Sequence, residues 1–350
     1  MTIQQLLELT IIRNASDLHI VVGFPPIIRV NGELIDVPGE EVVVPTSLDA
    51  FINQLLNKVQ KETFQNTFEL DFSFEFENKG RFRGNLYIQK GYAAMALRHI
   101  PVKIRAIEEL GLPKVIGQLA ELKQGFILVT GPTGHGKSTT IAALIDKINQ
   151  TKSVHIVTIE DPIEYVYPKG KALISQREIL SDTKSWNNAL RAALREDPDV
   201  VLVGEMRDLE TIGSAMTIAE TGHLVFATLH TNSASQSVDR IIDVFPQNQQ
   251  PQIRLQVAAT LEAIISQRLI PTLSPGRIPA VEILFSNAAV RNMIRENKTY
   301  LIDNLIQTSA ELGMISLESS LVRLVKEGKI SGEVAMKYAL RPELLAKLLG

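Results

Sequence analysis

The sequence predicts an α/β protein, with a core of buried, largely parallel strands alternating with helices. An α+β module precedes this core and a helical tail follows it. Three observations carry the prediction. From Gly125 onward the short apolar runs "FILVT", "VHIVTIE", "DVVLVGE" and "HLVFATLH" alternate with helical stretches, and runs apolar on both faces belong to sheets covered on both sides. Within the first hundred residues, 70–77 and the run after the turn "NKG" instead show apolar–polar alternation, the mark of strands with one buried face. Beyond residue 285 the segments "AAVRNMIREN", "LESSLVRLVKEG" and "GEVAMKYALRPELLAKLL" all carry helical spacing.

In chain order, "DLHIVVG" and "PIIRVNGELIDV" are β-rich, and Asn31-Gly32 between "IIRV" and "ELIDV" is a hairpin signal. "TSLDAFINQLLNKVQKETFQ" predicts one helix with Ser47 as its N-cap. Leu70, Phe72, Phe74 and Phe76 then alternate with Asp71, Ser73, Glu75 and Glu77. After the turn "NKG", Phe82, Leu86 and Ile88 match the apolar face, which puts Arg81 and Arg83 on the polar one. Pro101, Gly111-Leu-Pro113 and Gly117 punctuate a linker with a short helix. The expected parts are residues 1–100, a linker 101–117, a core 118–285 and a helical region 286–350.

The bulk composition narrows the function classes. With 350 residues the chain can hold two domains, each with its own core. A net charge of −3 argues against nucleic acid as a partner. The absence of cysteine excludes disulfides and cysteine-based zinc sites. "MTIQQLLELTIIRNASD" lacks a basic leader and a cleavage site, and no uncharged apolar run reaches the roughly 20 residues of a membrane span. The expectation is a cytoplasmic protein that reaches a membrane only through a partner.

The chemistry centres on "GPTGHGKSTT". Gly131-x-x-x-x-Gly136-Lys137-Ser138 satisfies the P-loop pattern, with an apolar strand before it and a helix after it. The loop of Gly131, Pro132, Thr133, Gly134, His135, Gly136, Lys137, Ser138 and Thr139 is the candidate phosphate grip, through the backbone N–H groups of all but Pro132 and aided by the helix N-terminus. Lys137 is expected to reach the β- and γ-phosphates of ATP, and the Ser138 hydroxyl to ligate Mg²⁺. His135 is expected to point away from the phosphates, because the grip is made by backbone. The alternative places its imidazole near them or at a subunit seam.

In open parallel sheets ligands sit at the carboxyl ends of strands. Glu205, ending "VVLVGE", is thereby placed to orient water or to bind Mg²⁺, directly or through water. Glu160, Asp161 and Glu164 crowd the turn "TIEDPIEY"; Glu164 is favoured, although spacing alone does not rank the three. His223 and His230 bracket a strand, about 23 Å apart at ~3.3 Å per residue, so they cannot share one metal. His230 lies at the catalytic end, and spacing gives His223 a structural role. Arg81, Arg83 and Arg98 are either a positive charge for the reaction or partners of Glu75 and Glu77.

Together "SDLHIVVGFPPIIRVNGEL", "GPTGHGKSTT", "TIEDPIEY", "ALREDPDVVLVGEMRDLET" and "ETGHLVFATLHTNSA" resemble the secretion-type hexameric ATPases over nearly the whole chain. Within that superfamily the chain is similar to the retraction ATPases of type IV pili, which serve twitching motility. No long extension precedes "ASDLHI", the cysteines of a zinc element are missing, and "AVRNMIREN" and "QTSAELGMISLESSL" look like the retraction branch's tail motifs. The resemblance implies a PAS-like N-terminal domain joined to a RecA-like P-loop ATPase domain, six copies forming a ring. It makes Lys137 and Ser138 the Walker A contacts, with Glu205 as the Walker B glutamate. Glu164 becomes the acid of an aspartate box, and His223 and His230 a histidine box. By the same resemblance Arg83 and Arg98 reach a neighbour's nucleotide. It further implies an inner-membrane platform protein as partner, with pilin moved indirectly. Three positions depart from the usual pattern, His135 for serine, Ser309 for glycine and Met293 for leucine. The rival readings are a pilus-assembly or type II secretion ATPase and, from another class, a nucleic-acid translocase.

Overall fold

Alternation along the first hundred residues resolves into a six-stranded antiparallel sheet. The structure, a computed structural model, describes residues 1–30, 32–77, 79–100 and 104–350. By internal contacts the chain divides into two units, Met1–Lys103 with Glu164–Val166, and Ile104–Ile163 with Tyr167–Gly350.

The first unit opens with α1 (Ile3–Ile12), started by a capping box in which Thr2 and Gln5 satisfy each other's backbone N–H. Then follow β1 (Asp17–Val21), β2 (Ile27–Val30), β3 (Glu33–Asp36), α2 (Pro45–Leu55), α3 (Lys58–Thr67), β4 (Glu69–Phe76), β5 (Gly80–Gln89) and β6 (Tyr92–Ile100). The sheet order is β3-β2-β1-β6-β5-β4. Val30 pairs with Glu33, as a two-residue hairpin requires. Asn31 of that turn, Asn78 of "NKG" and Pro101 of the linker lie outside the described residues. Phe74 faces Phe82 and Leu70 faces Leu86 across β4 and β5, and the Phe74 and Phe82 rings stack at 5.7 Å. Ile88 departs from the expected apolar face, being exposed near the end of β5.

The single helix expected from residue 46 is two helices, and Ser47 is not its cap. Pro45 occupies the first turn of α2 and Val44 the N-cap position, which leaves Ser47 inside the helix. The chain turns extended at Leu56. Asn57 then caps α3, accepting from the Gln60 N–H while the Gln60 side chain accepts from the Asn57 N–H. A reciprocal cap of this kind satisfies two orphan donors, and starting a new helix there is favoured over continuing the old one.

In the second unit a 3₁₀ turn (Lys114–Glu121) leads to β7 (Gly125–Thr130), α4 (Lys137–Thr151), β8 (His155–Glu160), β9 (Leu173–Glu178), α5 (Trp186–Ala193), β10 (Val200–Val203), α6 (Leu209–Glu220) and β11 (Leu224–Leu229). Next come α7 (Ala234–Asp243), α8 (Gln250–Thr260), β12 (Leu261–Pro271) and β13 (Arg277–Phe285). The sheet order is β13-β12-β7-β11-β10-β8-β9. All pairs are parallel except β12 with β13. Alternate residues of each strand feed two cores. Phe126, Leu128, Val201 and Val203 pack with α5 to α8, and Ile127, Val129, Val200 and Leu202 with α4 and the 3₁₀ turn. That two-sided burial is why these strands read as continuous apolar runs. The parallel α/β fold is therefore observed, extended by β9 and the β12–β13 hairpin, which the sequence reading did not single out. From β7 the chain passes to strands on one side of it, and β12 returns on the other, so the loop after β7 opens at a topological switch point.

The tail is helical as expected, through α9 (Ala288–Arg295), α10 (Ile302–Thr308), α11 (Leu317–Lys326), α12 (Gly332–Tyr338) and α13 (Pro342–Leu349). Side chains of Asn287, Ser316 and Ser331 cap α9, α11 and α12. Arg341, just before α13, donates to Glu318 at 3.1 Å and lies 3.8 Å from Glu282 and 3.5 Å from Asp303. Glu282 and Glu318 are buried. Among the described residues no helix is long and apolar enough to cross a membrane.

Candidate nucleotide site

The loop after β7 hands directly into α4, with Gly136 at the N-cap in the left-handed region (φ 83°). The first-turn N–H groups of this 15-residue helix have no intrahelical partner, so they and the helix dipole favour an anion at the loop. Lys137 is buried, and its Nζ donates to the carbonyls of Gly131 at 2.9 Å and Pro132 at 3.1 Å. The ammonium is thus folded back over the loop that precedes it.

His230 follows the carboxyl end of β11, the neighbour of β7. Its Nδ1 lies 3.4 Å from Lys137 Nζ and 3.4 Å from Thr133 Oγ1, and its Nε2 3.0 Å from Glu205 Oε1. An ammonium has no lone pair to offer, so Nδ1 accepts and Nε2 carries the proton donated to Glu205. Glu205 lies two residues past the end of β10, where its Oε2 accepts from Arg207 at 2.9 Å. Burial pushes the Glu205 carboxyl up, but the Arg207 hydrogen bond and charge, with His230, outweigh it and hold the group below its ordinary value. It is therefore an ionised acceptor at neutral pH. Lys137, His230 and Glu205 form one connected line across the ends of β7, β11 and β10.

Other candidates have partners of their own. His223 precedes β11, at its opposite end, and its Nδ1 lies 3.0 Å from both the Ile218 carbonyl and Thr221 Oγ1. It thereby closes the C-terminus of α6, where helix carbonyls lack partners. Glu160 is buried and accepts from Thr158 at 2.7 Å and Gln176 at 3.3 Å, which ties β8 to β9. Glu164 groups with the first unit, as do Arg83 and Arg98. There Arg83 is exposed and pairs in register with Ser73 and Arg98. Arg98 donates to Asp17 at 2.9 Å, and Arg81 donates to Ser73 at 2.6 Å while facing Glu75 in register. Among the described residues no three His, Asp or Glu side chains cluster as a metal site.

His135 turns toward β12. Its Nδ1 accepts from the Leu269 N–H at 3.1 Å, and its carbonyl accepts from Gln267 Nε2 at 2.9 Å. Burial, with Arg268, Arg277 and Lys137 nearby, lowers its tendency to protonate. Two residues in this neighbourhood were not singled out from sequence. Arg207 stands two positions from Glu205 in "GEMRD", and Gln267 sits in "IISQRLI", where three polar residues interrupt an apolar strand. That interruption was the available signal.

Comparison with known proteins accords with this geometry. The chain is 47% identical over 345 residues to the type IV pilus retraction ATPase PilT of Pseudomonas aeruginosa, covering 98% of this chain and 99% of that one. It is 45% identical over 351 residues to a twitching motility protein of Neisseria gonorrhoeae, covering 99% and 92%. A crystal structure of the pilus retraction motor PilT with bound ADP superposes with a TM-score of 0.93 at 46% identity, covering 99% of both chains. Residues 97–313 match the family model of Type II/IV secretion system proteins. The chain is a member of the Type II/IV secretion system protein family.

Proposed function

We propose that the protein is a Mg²⁺-dependent ATPase that drives retraction of a type IV pilus. The observation that best supports this is the Lys137–His230–Glu205 line at the carboxyl ends of three parallel strands, beside a P-loop and a helix N-terminus. The loop Gly131–Thr139 grips the phosphates through the backbone N–H groups of its residues other than Pro132, and Lys137 transfers its ammonium from the loop carbonyls to the β- and γ-phosphates. Glu205, held ionised, accepts a hydrogen bond from the attacking water and aligns it with the γ-phosphate. Its Oε1 is shared with His230, whose Nδ1 faces Lys137. The state of the phosphates is thereby felt at the end of β11. Ser138 and Glu205 supply oxygen donors suited to Mg²⁺, which takes few protein ligands and fills its shell with water and phosphate. When bound, the ion neutralises charge on the β- and γ-oxygens.

The working parts are a PAS-like domain (1–100), a linker (101–117), the ATPase core (118–285) and the helical region (286–350). Six copies form the ring, in which Arg83 or Arg98 of one subunit completes a neighbour's site and Glu164 and His223 act in positioning. The motor meets the inner membrane through a platform protein.

The test is deletion in the source organism followed by complementation. Hyperpiliated, non-motile cells rescued by wild type but not by Glu205→Gln are expected. Bald cells would assign the protein to pilus assembly instead. Rescue by Glu205→Gln would remove the glutamate from the mechanism.

A further inference from the structure

We infer that Gln267, through its side-chain amide, is a positioning residue for the phosphate cradle, holding the His135–Gly136 peptide in the orientation an anion requires. The inference rests on reading Gly131–Thr139 as that cradle. Ser266 pairs with Thr130 in register, so Gln267 comes next to Gly131, one step beyond the last paired residue of β7. The side chain is buried and makes two hydrogen bonds. Nε2 donates to the His135 carbonyl at 2.9 Å, and Oε1 accepts from Thr140 Oγ1 at 2.7 Å. A carbonyl can only accept, so the nitrogen must face His135 and the oxygen Thr140. An amide supplies that donor and acceptor side by side, whereas an ionised carboxylate of the same length only accepts.

The consequence follows from peptide geometry. In a planar trans peptide the C=O of residue 135 and the N–H of residue 136 point in opposite directions. Anchoring the His135 carbonyl on Gln267 therefore turns the Gly136 N–H away from β12 and frees it for phosphate. The second hydrogen bond ties the same amide to Thr140 in the first turn of α4, so loop and helix N-terminus are fixed by one group.

The experiment measures ADP affinity of the full-length protein by titration calorimetry at 15 °C, with nucleotide-free melting in parallel. Gln267→Met keeps the volume and removes both hydrogen bonds, and it is expected to weaken ADP binding about 10-fold or more. Gln267→Glu keeps the acceptor for Thr140 but cannot donate when ionised, so at pH 8 it is expected to lose at least as much. Thr140→Val leaves the His135 contact in place and is expected to lose only about threefold. A purely structural role would lower the melting temperature of these variants yet leave the folded protein's affinity alone. Folded Gln267→Met that binds ADP within about twofold of wild type would overturn the inference. Should that variant not fold, Gln267→Glu decides by the same threshold. Lys137→Ala separates the two readings, because loss of ADP binding there supports the cradle independently of Gln267. ADP binding that survives Lys137→Ala would place the nucleotide elsewhere, and cradle and clamp would fall together.

Discussion

Replacing Glu282 by glutamine is expected to stabilise the protein above neutral pH and to leave it unchanged in acid. Glu282 lies in β13 with 1% of its side chain exposed. Oε1 accepts from the Ala234 N–H at 2.8 Å, whereas Oε2 is buried with Arg341 no closer than 3.8 Å. Burial pushes the carboxyl up to about 7; the Ala234 N–H and Arg341 pull against this, and Asp303 and Glu318 add to it. The same group titrates near 4.5 in the unfolded chain. Between those values the folded protein holds a proton that the unfolded chain has released. The contribution is thus fully present below pH 4.5 and is lost as pH rises to about 7. A shift of ~2.5 units corresponds to about 3 kcal/mol. Glutamine keeps the acceptor for Ala234 and carries no charge to bury, and the attraction to Arg341 that it gives up is already contained in the shifted value. A gain of about 3 kcal/mol at pH 8 is therefore expected, or about 6–12 °C in melting temperature for a unit of this size. The assay is thermal unfolding by circular dichroism at pH 4, 6, 7 and 8 for both proteins. Each wild-type melt then serves as the reference for its own pH. Curves that coincide at pH 4 and separate upward bear the reasoning out; a variant equally destabilised at every pH would refute it.

The same cluster predicts that Arg341→Met destabilises by about 3 kcal/mol, more at pH 8 than at pH 5, because the acids lose the cation that pairs with them; urea midpoints at the two pH values check this. His135→Ser removes the acceptor for the Leu269 N–H but not the His135 carbonyl, so steady-state ATPase is expected to fall by less than about threefold. Because burial and the neighbouring cations already disfavour protonation of that imidazole, the pH–rate profile should keep its position. Gly84→Ala brings a methyl group within 2.3 Å of the Phe72 ring and 2.9 Å of Leu97. Overpacking of this kind costs about 1–3 kcal/mol, to be read as a lower melting temperature of the expressed Met1–Lys103 unit or of the full chain.

What the sequence made legible follows from what kind of constraint each residue obeys. Lys137, Ser138 and Glu205 belong to local patterns tied to a strand end or a helix start, so spacing alone located them. The break between α2 and α3 was written just as locally, in Asn57 and Gln60, but periodic apolar residues across the join hid it. Gln267 and Glu282 obey no local pattern. Gln267 meets Thr140 from 127 positions away and Glu282 meets Ala234 from 48, so only the sheet order brings them together. Arg98 shows a third case. Its partner Asp17 stands 81 residues away in a neighbouring strand, where alternation predicts the face but not the pairing.

The motif that opens the site carries two constraints at once, and the structure separates them. Read as sequence, all the glycines of "GPTGHGKS" serve approach of the backbone to phosphate. A Cβ on Gly131 would sit 2.3 Å from the Gln267 carbonyl oxygen, and one on Gly136 would sit 2.8 Å from Gln267 Nε2. Both contacts are with β12, on the side away from any anion inside the loop. These two glycines are therefore also required by close packing against the neighbouring strand, over and above their positive φ. Gly134 meets nothing within 4 Å and is constrained by its backbone angle alone. A P-loop glycine can thus report a packed wall as well as a bound phosphate. In this protein the wall is the strand that also holds the His135 carbonyl and the imidazole of the same residue. The side chain that made the loop unusual is accounted for by β12, and the phosphate grip is left to the backbone.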